Sequence, residues 1–286
     1  IFIIISGMKK VLIIGNFHHK NYEGLDRILN HLKYEFKHTN DISDIENYDI
    51  IYSPGCPIDT SRYPNKKFIF APHFSVFPDD KLTCINNIHN NSVYIQPSDW
   101  ARDLWINMDS GKYIPLKSFP FPVNTDKFKP NDSKEEKTKI FGYYKSRETS
   151  EIEYIEKYFE DRNIEFKMFH YYLKYEEEDY LNYLKESKYG IVVDAHESQG
   201  FALEEALSTN VPLLVWNTRD MSQEVWTNYD NIHCTTIPYW DERCGEFFYE
   251  QSEFIETYEK FLKKIDTYKP REYIMENLSV EVCAER

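Results

Sequence analysis

The sequence predicts an α/β protein built from two Rossmann-like domains. Two observations favour this fold class: short apolar runs that end in glycine, proline or polar residues recur along the chain, and segments with helical periodicity lie between them. Unbroken apolar runs are typical of strands that are buried on both faces of a parallel sheet. A third observation, a proline-rich stretch over residues 119–130, divides the chain into two alternating halves.

The composition limits the classes of partner. With 286 residues, of which 41% are hydrophobic, the chain can bury one large or two small cores. Its net charge of −14 argues against nucleic acid or an anionic membrane as the main partner. The five cysteines form no C-x-x-C pair, which indicates a reducing compartment and no structural zinc.

Apolar runs in the chain are too short to cross a membrane. The opening run IFIIISG is apolar for about five residues, whereas a membrane span needs about 20. It has no basic segment before it and no cleavage site, so we expect neither a transmembrane segment nor a signal peptide. Met8 is the expected natural start, and we expect a cytoplasmic protein.

The first half opens with a predicted strand at 11–15 that ends in Gly15, and helical periodicity follows over 24–32. This opening is Rossmann-like, but it lacks G-x-G-x-x-G, so a dinucleotide site has little support. A predicted helix starts after Ser98, a plausible N-cap. Further strands are predicted at 49–53, 67–71 and 92–96.

The stretch FPFPVNTDKFKP predicts an extended connection between two domains, because proline restricts both itself and the residue before it. We expect an N-terminal domain over residues 8–125 and a C-terminal domain over 131–265. Residues 266–286 are expected to form a closing helix.

The second half contains the most informative segment, residues 191–217. It predicts a strand at 191–193, an acidic loop at 194–199, a helix near 200–209 and a strand at 213–216. Such a βαβ unit places its loop at the carboxyl end of a parallel sheet, where open α/β sheets bind ligands.

Two glutamates in this segment are candidates for binding hydroxyl groups. Glu197 lies in the loop, and seven residues separate it from Glu205 in the helix. A carboxylate can accept two hydrogen bonds from a vicinal diol such as a ribose. The amides of Ser198, Gln199 and Gly200 precede the helix and could bind a diphosphate at its N-terminus. The alternative is an ordinary βαβ crossover with solvated carboxylates.

Several motifs resemble those of one family of enzymes. They resemble motifs of the retaining glycosyltransferases of family 4 and occur in the order expected for that family. In chain order they are the helix start SDWAR, the connection FPFPVNTDKFKP, and the run ESQGFALEEALS followed by NVPLLV. The resemblance covers nearly the whole chain from Met8. It implies the GT-B fold, in which two Rossmann-like domains face a cleft.

The resemblance also implies roles for individual residues. Glu205 would hold the donor ribose, Glu197 the transferred sugar, and the Ser198–Gly200 amides the diphosphate. His73, just past a predicted strand, would lie by the reacting sugar, although a histidine that only satisfies its own loop is the alternative. Gly15 would approach the donor.

The chain departs from the family where cations are expected to bind the diphosphate. Tyr143 stands where family members have an arginine, and Lys145 and Arg147 are the candidates to supply the charge instead. A solvated loop is the alternative. Tyr171 and Tyr172 follow the next strand, where the family lines the nucleotide base.

The implied function is transfer of a sugar from a nucleoside-diphosphate sugar, with a UDP- or GDP-sugar expected, to a hydroxyl of a carbohydrate or glycoconjugate acceptor. The sugar would keep its anomeric configuration. We expect no cofactor and no metal. Two alternatives stay open: a relative that isomerises or hydrolyses nucleotide sugars, and a non-catalytic module that binds a nucleotide or sugar.

Overall fold

The computed structural model describes residues 9–55, 58–72, 76–77, 91–108, 115–131, 137–227 and 229–286. The chain forms two compact units that divide between Pro122 and Val123. The last residues, Val280–Arg286, belong with the first unit.

The first unit contains one parallel sheet of six strands in the order β2-β1-β3-β4-β5-β6. Its strands are β1 (Lys10–Ile14), β2 (Glu35–Thr39), β3 (Ile50–Ser53), β4 (Lys67–Phe70), β5 (Ser92–Gln96) and β6 (Leu116–Ser118). Its helices are α1 (His19–His31), α2 (Asp99–Asn107) and, from the end of the chain, α8 (Val280–Glu285). Helix α8 packs against α1.

The core of the first unit lies between the sheet and α2. Leu12, Ile51, Phe70 and Tyr94 come from the four central strands, and Trp105 comes from α2; all are fully buried. Polar residues stand only at the ends of these four strands, and the residues between them are apolar, as in parallel strands that are buried on both faces.

The second unit contains a parallel sheet of five strands in the order β11-β10-β9-β7-β8. The strands are β7 (Lys139–Lys145), β8 (Lys167–His170), β9 (Ser187–Asp194), β10 (Leu213–Trp216) and β11 (Gly245–Phe248). The helices are α3 (Thr149–Glu160), α4 (Glu177–Glu186), α5 (Phe201–Ser208), α6 (Phe254–Lys263) and α7 (Pro270–Asn277). Since the chain runs from β7 outward to β8 and then returns to β9 on the other side of β7, the strand order reverses between β7 and β9.

Glycine allows close packing at the centre of this second sheet. A Cβ added to Gly190 in β9 would lie 2.2 Å from Cζ of Phe141 on the neighbouring strand β7. The absent side chain therefore makes room for the Phe141 ring, which is fully buried in the core beside Tyr180 of α4.

Three strands were not predicted from the sequence. Strands β2 (EFKHT) and β6 (LKS) lie at the edges of the first sheet, and β11 (GEFF) lies at an edge of the second. Edge strands are half solvated, so they need no apolar run. Helix α1 also starts at His19, five residues earlier than its apolar periodicity indicated.

Helices in the part of the chain that the structure describes are all too short or too polar to span a membrane.

Candidate functional site

The candidate site lies where the strand order of the second sheet reverses. Strands β7 and β9 run side by side, and their last residues, Lys145 and Asp194, are partners in the sheet register. Ligands of open α/β sheets bind outside the carboxyl ends of the strands at this reversal. The fold therefore brings a cation and a carboxylate to the expected place.

Lys145 and Glu197 form an ion pair at this position. The Lys145 ammonium donates to Oε1 of Glu197, and the two side chains are only 19% and 14% exposed. Burial lowers the pKa of Lys145, but the Glu197 and Asp194 carboxyl groups outweigh it and raise the pKa above its ordinary value. Burial likewise raises the pKa of Glu197, but the ammonium reverses this and holds it below its ordinary value. Both side chains are therefore charged at neutral pH.

Backbone contacts fix the loop that carries Glu197. The Glu197 amide donates to the carbonyl of Thr235 at 3.0 Å. The Thr236 hydroxyl donates to the carbonyl of Ala195 at 2.8 Å. Gly200, which precedes α5, has a left-handed φ of +94°, and a Cβ built on it would lie 3.5 Å from Cβ of Glu197. Glycine thus turns the chain into the helix directly behind Glu197.

Glu205 and Glu197 act on the same tyrosine. Glu205 on α5 is 5% exposed. Burial raises the pKa of Tyr175, and the carboxylates of Glu205 and Glu197 raise it further. The hydroxyl of Tyr143, the residue that replaces the expected arginine, lies near Tyr175 and opposes this rise in its pKa. The structure therefore groups both predicted glutamates around a pair of tyrosines.

Arg147 is committed to contacts within the unit. Its fully buried guanidinium donates to both carboxylate oxygens of Glu151, at 2.7 and 2.6 Å. It also donates to the carbonyls of Asp194 and Trp216, at 3.2 and 3.4 Å, and so joins the ends of β9 and β10. A diphosphate could reach this guanidinium only by displacing these groups, and the phosphate role of Arg147 stays a prediction.

Two exposed tyrosines border the ion pair. Tyr171 and Tyr172, which follow β8, are 43% and 62% exposed. The Lys145 ammonium lies 4.8 Å from the centre of the Tyr171 ring. The Tyr172 hydroxyl hydrogen-bonds to Ser146 at 2.6 Å. Two partly exposed aromatic rings thus lie beside Lys145, the residue of β7 that is predicted to bind the donor phosphates.

The remaining predicted residues are found in different places. Ser198 is half-buried. Gln199 is buried, and its side-chain amide donates to Oε2 of Glu204 at 3.0 Å. Gly15 directly follows β1 in the first unit with a φ of +88°, and its backbone amide donates to the carbonyl of Thr39 at 2.9 Å. His73 lies outside the described residues, and its role stays a prediction.

Three residues at the site were missed from the sequence. Asp194 is buried at the end of β9, Glu204 is buried on α5, and His196 pairs through Nδ1 with Glu224. The signal for Asp194 was present, since it is the first polar residue after an apolar strand. Glu204 and His196 carry no such signal, because their surroundings depend on how the loop folds.

Searches for relatives by sequence find none. No family model matches the chain. No curated protein matches it either.

Solved structures, in contrast, include several of similar fold. A glycosyltransferase from Rickettsia africae has a TM-score of 0.61 and 10% identity, over 98% of this chain and 97% of that one. A sucrose-phosphate synthase from Thermosynechococcus elongatus has a TM-score of 0.60 and 10% identity, over 97% and 96%. The catalytic domain of starch synthase IV from Arabidopsis thaliana, bound to ADP and acarbose, has a TM-score of 0.50 and 11% identity, over 93% and 75%.

Likeness at such low identity reports on the fold alone. It agrees with the two parallel sheets and their helices. The prediction of two Rossmann-like α/β domains is confirmed, while membership of family 4 stays a prediction. The chain has the GT-B fold of these glycosyltransferases.

Proposed function

We propose that this protein is a retaining glycosyltransferase that moves a sugar from a nucleoside-diphosphate sugar to a hydroxyl of a carbohydrate or glycoconjugate. The observation that carries the proposal is the contact between Lys145 and Glu197 at the strand reversal, with Glu205 nearby on α5. The solved structures of similar fold support sugar transfer as the reaction class, because their names are those of a glycosyltransferase, a sucrose-phosphate synthase and a starch synthase.

Lys145 is the proposed ligand of the donor diphosphate. Its charge is balanced by Glu197. A diphosphate that approaches the end of β7 offers a stronger counter-charge, and the flexible lysine side chain can turn to it. In the transfer the bond between the anomeric carbon and the diphosphate oxygen breaks. Negative charge therefore develops on that oxygen, where the Lys145 ammonium can stabilise it. The acceptor oxygen forms the new bond to the anomeric carbon on the face that the diphosphate leaves, and its proton passes to an oxygen of the departing diphosphate.

The two glutamates are the proposed ligands of hydroxyl groups. Once Lys145 turns to the phosphates, Glu197 can accept hydrogen bonds from the transferred sugar, and Glu205 from the ribose. The backbone amides of Ser198, Gln199 and Gly200, just before α5, add partial positive charge beside the diphosphate. A role for His73 near the sugar and acceptor remains part of this proposal.

Tyr171 and Tyr172 are the proposed platform for the nucleotide base. Both rings are largely exposed, and both lie against the segment that carries Lys145. A base stacked there would place its phosphates toward the ammonium. Aromatic stacking does not distinguish between bases, so it does not select the nucleotide. We propose a UDP- or GDP-sugar as the donor.

Thermal stabilisation by nucleotides tests the donor site. UDP, GDP, ADP, CMP and their sugars would be compared on the wild type, on Glu205→Ala, and on Glu259→Ala, which removes an exposed glutamate of α6 as a control. A ligand at a hundred times its dissociation constant adds about 2.7 kcal/mol, or several degrees of melting temperature. We expect one nucleoside diphosphate to shift the wild type and Glu259→Ala but not Glu205→Ala. No shift with any of them would rule out the transferase.

One observation favours a non-catalytic binding module as the second candidate. Tyr143 is neutral, and the charge of Arg147 is balanced by Glu151, so Lys145 alone of these three can meet a leaving diphosphate. Binding without turnover would favour the module. Turnover of donor without an acceptor would favour an isomerase or hydrolase.

A further inference from the structure

Asp194 is a buried carboxyl group that the proposed transfer does not use. It ends β9 and is 0% exposed. One carboxyl oxygen, Oδ1, accepts a hydrogen bond from the Ala195 amide at 2.6 Å. The other, Oδ2, is buried, and no donor among the described residues reaches it. A buried polar atom left in this state needs an explanation.

Charged and titratable groups surround Asp194. Lys145 and Tyr143 approach it from β7, Glu197 lies in the loop that follows it, and Arg147 donates to its backbone carbonyl. Lys145 is the partner of Asp194 in the sheet register, but its ammonium donates its hydrogen bond to Glu197. The Asp194 carboxyl therefore faces a second carboxyl group, that of Glu197.

Two ionised carboxylates cannot hydrogen-bond to each other, because neither has a hydrogen to donate. A single proton changes this, since a protonated carboxyl is both donor and acceptor. When two such groups share a site, one of them keeps its proton to higher pH. Glu197 already has the ammonium as its counter-ion, so the proton belongs on Oδ2 of Asp194.

We propose that Asp194 is a positioning residue, held as a neutral acid, whose Oδ2–H donates to the Glu197 carboxylate and fixes its orientation at the site. The protonation is consistent with burial, which raises the pKa of Asp194 well above its ordinary value, and the Glu197 charge adds to this against the opposing effect of Lys145. If the proposed function holds, Glu197 keeps this partner when Lys145 turns to the donor phosphates.

The substitution Asp194→Asn tests the proposal directly, because an amide has the shape of the protonated acid. Its oxygen can accept from Ala195, and its NH₂ group can donate to Glu197 at any pH. Asp194→Ala removes both bonds. Glu204→Gln is the matched control: Glu204 is also buried, and burial raises its pKa well above the ordinary value.

Infrared difference spectroscopy of the ligand-free protein reads the proton itself. At neutral pH, wild type minus Asp194→Asn should show the carbonyl band of a protonated carboxylic acid. Wild type minus Glu204→Gln should show a separate band that is still present in Asp194→Asn. If the Asp194→Asn difference contains only carboxylate bands, Asp194 is ionised and the proposal is overturned.

Thermal unfolding between pH 5 and pH 9 gives an independent readout. Because the folded wild type holds a proton that an unfolded aspartate releases above about pH 4, it loses stability relative to Asp194→Asn as the pH rises. We expect the difference in melting temperature to widen with pH. Equal pH dependence of the two proteins would contradict the proposal.

Ligand affinity separates this inference from the proposed function. For the nucleoside diphosphate that binds, Asp194→Ala should lose roughly ten-fold or more of the affinity that the attached sugar adds, while Asp194→Asn keeps it, since a hydrogen bond to a charged group is at stake. Equal loss in both variants would overturn the positioning role. If no nucleotide binds the wild type, the proposed function fails, and the infrared and unfolding results still decide the state of Asp194.

Discussion

The Lys145 ammonium donates a hydrogen bond to Oε1 of Glu197. The two side chains predicted for the phosphates and for the sugar thus neutralise each other's charge. This relationship makes the ion pair part of the stability of the unit as well as part of its proposed chemistry. The first prediction separates the two contributions.

Lys145→Met should destabilise the protein by about 3–5 kcal/mol, because it leaves the Glu197 charge buried without its counter-ion. Adding Glu197→Gln should recover much of this loss, since the neutral pair buries no charge. Urea unfolding of the two single variants and the double variant measures the coupling. Additive effects would show that the pair contributes no net interaction.

Glu204→Gln should stabilise the protein at neutral pH and have little effect near pH 4. Burial raises the pKa of Glu204 above its ordinary 4.5, so folding takes up a proton at higher pH and loses stability as the pH rises. Glutamine takes up none and can still accept from Gln199, which now donates to Oε2 at 3.0 Å. Melting temperatures from pH 4 to pH 8 check this, with Glu259→Gln as the exposed control. A stabilisation that is constant with pH would refute the stated cause.

Gly190→Ala should destabilise the second unit by about 1–3 kcal/mol through overpacking. The new methyl carbon would lie 2.2 Å from Cζ of Phe141, so the ring must move. Phe141→Leu shortens that side chain, and the double variant should lose less than the two single variants together. Denaturant titration of all three proteins measures this, and a double variant as unstable as the sum would place the clash elsewhere.

Arg147→Lys should lower stability by about 2–4 kcal/mol, because lysine cannot bond Glu151 with two nitrogens and also reach two carbonyls. Glu151→Gln should also lower it, by leaving the buried guanidinium charge uncompensated. Chemical unfolding tests the structural part, and nucleotide titration tests the other. Unchanged stability with lost nucleotide binding would instead make Arg147 a phosphate ligand.

The β9–α5–β10 unit was predictable because each of its parts has a local signal. Residues 191–193 of β9 are apolar, Gly200 turns the chain, and Glu205 follows at a fixed spacing. Local signals also marked the central strands of both sheets. They did not mark β2, β6 or β11, whose edge positions remove the need for an apolar run.

Contacts made through the register of the sheets could not be read from the chain. The guanidinium of Arg147 meets carbonyls that are 47 and 69 residues further on. The lysine of the site meets a glutamate 52 residues away. Such pairs depend on which strands become neighbours. A sequence motif can therefore indicate a cation at the site, but it cannot distinguish a residue that binds phosphate from one that only holds neighbouring strands together.

The return of the chain to the first unit has a consequence for synthesis. The chain leaves that unit after Pro122 and re-enters it at Val280, where α8 covers α1. On the ribosome, the second unit therefore has all of its residues before the first unit has its last helix. Until α8 is made, the side of α1 that packs against it is uncovered while the second unit folds.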